Sequence, residues 1–186
     1  MRARNSKHDA RAPLTRRTAL LSLAGAGLVV CLTGQSPPPT GTVDTHETMV
    51  RGISPAAQAI WDVGSKAMSE TGALDPALMD DEAWSRLQSA AQLLERHSRA
   101  MAEARALRVG AHNDALEGFA TRAEIQAMID ADPDGFRRMS RDMAEHAGGL
   151  AAAALARNVR ESGGLVGSLS DRCQACHSRY WEKPVQ

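Results

Sequence analysis

The sequence predicts an all-α fold, a bundle of four main helices. Three observations lead there. Aromatic residues make up only 3% of the 186 positions while alanine is abundant, a composition that suits helices better than sheets. Four stretches carry apolar residues three and four apart, which places them on one face of a helix. No stretch gives a strand signal.

The first helix opens at Ser54 as cap, with Pro55 at the first helical position and Ile53 as a staple. Its apolar positions are Ala57, Ile60, Trp61, Gly64, Ala67 and Met68, and Gly72 with Asp75-Pro76 ends it. The second begins at Asp80 or Asp81, carries Trp84, Leu87, Ala91, Leu94 and Met101 on one face, and continues to about Leu107. A connection over 108–131 holds one short extra helix, announced by the capping box Thr121 and Glu124 ahead of Ile125, Met128 and Ile129.

The third helix starts at Asp132-Pro133 and carries Phe136, Met139, Met143, Ala147, Leu150 and Ala154; Gly148-Gly149 in its middle suggests a close helix contact or a bend. The carboxylates Asp130, Asp132 and Asp134 alternate as in a calcium loop, but Pro133 interrupts them and no glutamate follows at the required distance, so they read as capping. After Glu161-Ser162-Gly163-Gly164 the last helix carries Val166, Leu169, Cys173, Cys176 and Tyr180, and Pro184 stops it.

Ahead of the bundle, 1–34 reads as a signal peptide or lipoprotein leader: a basic segment, then a short apolar one. The pair Arg16-Arg17 reads as ordinary charge of that basic segment. Leu28-Val29-Val30-Cys31 approximates a lipoprotein cleavage box, although Val30 stands where a small residue is expected; Cys31 is either a lipid anchor or is removed with the leader. Residues 35–48 are a Pro-rich linker, and 49–186 the bundle.

The formal charge of zero divides unevenly. Residues 1–31 hold six basic side chains against one acid, leaving 16 basic and 21 acidic groups, a net of −5, in the part that folds. That balance argues against nucleic acid as a partner and suits docking to a basic redox partner.

The chemistry lies in Cys173-Gln174-Ala175-Cys176-His177. A Cys-x-x-Cys-His run is the attachment signature of c-type haem: both thiols add to the haem vinyl groups and the imidazole binds the iron. On a helix these three side chains share one face. Two other readings stay open. A redox disulfide normally sits between a strand and a helix, and structural zinc normally takes four ligands, for which no second Cys or His pair is present.

A haem motif at the carboxyl end of a four-helix chain resembles the cytochrome c′ family, the class II c-type cytochromes. The resemblance spans residues 49–183 in helix order, with specific matches at Cys173, Cys176, His177 and Tyr180. It implies an up-and-down four-helix bundle with one covalent haem c, held by Cys173 and Cys176, with His177 as axial iron ligand. Family members often carry a basic residue after the tyrosine, where this chain has Trp181. Exported, periplasmic location follows from haem attachment.

Two functions are expected from this reading: electron transfer, or binding of a small gas such as nitric oxide or carbon monoxide at an open distal position. A haem peroxidase is a weaker third. The sixth ligand separates the first two. On the first helix Ala57, Gly64, Trp61 and Met68 share one arc, so the distal face is assigned there, with Met68 as candidate ligand and Trp61 at the haem edge. The other histidines read as solvated or structural: His8 in the leader, His46 in the linker, His97 and His146 on helices, His112 in a loop. A homodimer through the first helix is compatible with the sequence.

Overall fold

The computed structural model describes residues 41–111 and 118–183. Chain order is β1 (Thr42–Asp44), α1 (Thr45–Thr48), a π-helical turn (Met49–Ile53), α2 (Ser54–Ala67), a 3-10 turn (Pro76–Leu78), α3 (Asp81–Ala102), β2 (Ala106–Arg108), α4 (Arg122–Ala131), α5 (Pro133–Leu155), α6 (Val159–Gly167) and α7 (Leu169–Tyr180). The four main helices are thus α1–α2, α3, α5 and α6–α7, with α4 the short extra one. The all-α bundle expected from the sequence is the fold of this chain.

The first helix starts at Asp44, not at Ser54. The Asp44 carboxylate accepts the Glu47 N–H at 3.0 Å, and winding continues from α1 through the π turn into α2. Ser54 already has helical angles, and its N–H bonds the Met49 carbonyl five residues back. Pro55, which has no N–H to give, falls where the bonding register changes from five residues to four, so its cost inside a helix is reduced. Among the described residues regular structure is therefore already present from Thr42, ahead of Met49.

A second difference concerns strands. β1 and β2 pair in parallel, Thr42 with Ala106 through Asp44 with Arg108, and this ends α3 at Ala102 instead of near Leu107. Arg137 secures that exit by donating from Nε to the Ala104 carbonyl and from Nη2 to that of Arg105. Three residues per strand are too few for an alternating pattern to be read from sequence.

The local signals hold where they were strongest. Asp80 caps α3, Asp132 caps α5, and the Thr121–Glu124 box is complete, with both reciprocal hydrogen bonds formed. Helix α5 runs unbroken through Gly148-Gly149. In the fourth helix, Gly163 and Gly164 lie inside α6, capped by Asn158, and are not a connection. Gly163 is there because a Cβ would stand 2.4 Å from the Gly72 carbonyl oxygen, so only glycine lets α6 lie against that backbone.

The core is continuous along the bundle. Ile60, Leu87, Leu94, Leu150 and Leu169 have no exposed surface. Burial of each such side chain contributes about 1.5–3 kcal/mol. Among the described residues, no helix is long and apolar enough to cross a membrane.

Candidate haem site

Cys173, Cys176 and His177 lie on α7, which is helical through all three positions, so they share the face their spacing requires. Both cysteines are unpaired thiols, half-buried on the core side. Burial raises both thiols above the usual range, and Cys176, also facing the Cys173 sulfur, is pushed up to about 11. Burial acts oppositely on the His177 imidazole and lowers it, although Glu182 opposes the shift. The ring is thereby held neutral, the form in which it binds a metal.

The end of α7 is fixed by several contacts. Tyr180 packs edge-on against Phe136 at 5.1 Å, and its hydroxyl donates to the Asp132 carbonyl at 3.3 Å. The Asp132 carboxylate accepts from the Gly135 N–H, which chiefly lowers its pKa, and from Arg179 at 2.5 Å, so one residue caps α5 and also ties it to α7. Beyond Tyr180 the chain meets residues 118–120: the Ala120 N–H donates to the Trp181 carbonyl at 2.8 Å. Phe119 stacks on Trp181 at 4.2 Å, and Trp181 stands edge-on to His177 at 4.8 Å. The indole at the position often basic in the family thus packs against the imidazole.

Beside this face is a cavity of about 620 Å³. That is within the range of cofactor sites. α7 and the residue after it contribute Cys176, His177, Tyr180 and Trp181; α4 and α5 contribute Ile125, Ile129 and Phe136. A third wall, from α1, the π turn and the start of α2, brings Thr45, His46, Met49, Val50 and Ser54, and Val109, Phe119 and Ala120 complete the lining. Mostly apolar walls, a neutral imidazole and helically spaced thiols fit a haem.

The profile of the family described as Cytochrome C' matches residues 65–181. The chain belongs to the cytochrome c′ family. Comparison with individually curated proteins and with solved structures returned no match. Membership makes this a haem c protein of the electron-transfer or gas-binding kind.

The structure does not bring Trp61 and Met68 to this cavity. Met68 sits past the far end of α2 in extended conformation, bridging to Leu74. Trp61 packs against the core with Nε1 buried and unpartnered among the described residues. The reason is chain direction: the motif lies toward the end of α7, and the residues of the first helix that share its cavity come from α1, the π turn and the beginning of α2. His46 was hidden by placing 35–48 in a linker, and Met49 by starting the first helix at Ser54. A signal existed in Asp44-Thr45-His46-Glu47, a cap followed three residues later by glutamate. Of the other histidines, the His97 ring packs against Gly52 and His146 is in the core, while His8 and His112 lie outside the described residues, as does Cys31.

Proposed function

We propose that the chain is an exported, periplasmic electron carrier with one covalent haem, joined through Cys173 and Cys176 and bound at iron by His177. The observation that carries this reading is the apolar cavity bordered by Cys176 and His177 on the helix that also bears Cys173. Bound haem supplies the one-electron iron couple. The chain's own part is to hold His177 neutral by burial, to pack its ring against Trp181, and to surround the site with Phe136, Ile125 and Ile129.

The acidic balance outside the leader suits a partner with a basic docking surface. Cys31 has two proposed fates, lipid attachment or removal. A homodimer through the first helix is compatible with either. Five-coordinate binding of nitric oxide or carbon monoxide is the second reading, favoured by the aliphatic side chains of Val50, Ile125 and Ile129 in the cavity wall.

Haem staining after denaturing electrophoresis, with absorption spectra of the oxidised and reduced protein with and without carbon monoxide, tests both. A stained band is expected with covalent haem. A reduced spectrum that carbon monoxide leaves unchanged supports the carrier, and a rapid change supports gas binding.

A further inference from the structure

The cavity wall made by α1 and the π turn carries one imidazole, His46, and one thioether, Met49. We propose that His46 would supply a second protein ligand to the haem iron, in addition to His177. This rests on the haem reading above and deepens it, because two protein ligands define an electron carrier and leave no open coordination position for a gas.

Three observations support the assignment. The first is donor chemistry. Thr45 and Ser54 on the same wall offer only hydroxyls, whereas imidazole is a normal haem ligand. The second is how firmly so short an element is held. β1 pairs with β2, the Thr45 hydroxyl donates to the Arg108 carbonyl at 3.2 Å, and the Asp44 carboxylate accepts from the N–H groups of Glu47 and Gly110. These bonds fix the backbone on both sides of His46.

The third is the π turn. In uninterrupted α geometry, at about 100° per residue, Thr45 and Ser54 would lie on opposite sides of the helix, yet both line this cavity. The wider π turn between them brings the two ends of the segment onto one wall. It cannot shift freely, because a Cβ at Gly52 would stand 2.6 Å from the His97 ring, so the turn is seated directly on α3. Met49 is the competing donor. Its soft sulfur favours reduced iron and its flexible chain more simply fills space beside the macrocycle, whereas imidazole serves both oxidation states.

Haem-loaded full-length protein is first checked for covalent haem by staining, then read by electron paramagnetic resonance and absorption in the ferric state. The wild type should be low-spin with a bis-imidazole signal. H46A should lose that signal, become high-spin, and regain low spin when imidazole is added; M49L should leave it unchanged. If H46A retains too little haem to measure, H46M serves instead and should stay low-spin with a raised reduction potential. A stained wild type that is high-spin, an H46A protein that stays low-spin, or an H46M protein with unmoved potential would overturn the assignment and leave the haem reading intact. A wild type without covalent haem would overturn both.

Discussion

The two ends of the bundle are built from the same kinds of residue and packed in opposite ways. At one end α2 finishes, Leu74 is almost fully buried with its N–H bonded to the Val159 carbonyl, and Gly163 lets α6 press against the backbone of Gly72 and Ala73. Nothing larger than hydrogen fits at that contact. At the other end the first helix begins, α7 finishes, and the side chains stand back around about 620 Å³. A tightly closed end beside a hollow one leaves room for a macrocycle at the hollow end. It also explains Met68, which belongs to the closed end.

The largest effect expected from this contrast lies between the two ends. Leu150→Ala removes a fully buried side chain. It should lower stability by about 2–5 kcal/mol in urea unfolding, with or without haem. Gly163→Ala comes next: the closed end has no room for the methyl, and overpacking of this kind costs about 1–3 kcal/mol. At the cavity end Val50, which is 55% exposed, should tolerate Val50→Ala with little change. Equal losses at Gly163 and Val50 would erase the comparison.

A smaller effect separates the ends by pH. His146 is buried on α5, and its Nε2 lies 2.9 Å from the Leu165 carbonyl, where the N–H of the neutral ring donates. Burial lowers its pKa, so the unfolded chain takes up a proton more readily than the folded one. Stability from this group is therefore complete above the ordinary histidine pKa and is lost as pH falls below it. In acid titrations followed by urea unfolding, His146→Gln should flatten that part of the pH profile.

Smallest of all, and confined to protein without haem, is the titration of Cys176. Its alkylation by iodoacetamide should stay slow until the pH approaches about 11. In haem-loaded protein both cysteines should resist the reagent at every pH. Rapid alkylation of Cys176 near pH 8 would mean that α7 does not bury this thiol.

What was legible in the sequence was local. Caps act over three or four residues, so Asp80, Thr121–Glu124 and Asp132 could be read directly, as could the shared face of Cys173, Cys176 and His177. What was hidden depends on distant partners. Gly163-Gly164 has the composition of a break, but packing against Gly72 and Ala73 overrides propensity and keeps it helical. The pairing of Thr42–Asp44 with Ala106–Arg108 joins segments far apart in the chain, and without it His46 looks like part of a tether. The Ser54-Pro55 pair resembles a helix start so closely that the earlier start at Asp44 is masked, and the distal wall with it.

The central claim is that the hollow end holds a haem joined to α7. The most direct test is mass spectrometry of the proteolytic peptide containing Cys173 through His177, from protein made with a haem-attachment system. A single peptide carrying one haem on both cysteines is the expected result. The same peptide found with two free thiols, or with Cys173 and Cys176 joined to each other, would contradict the account.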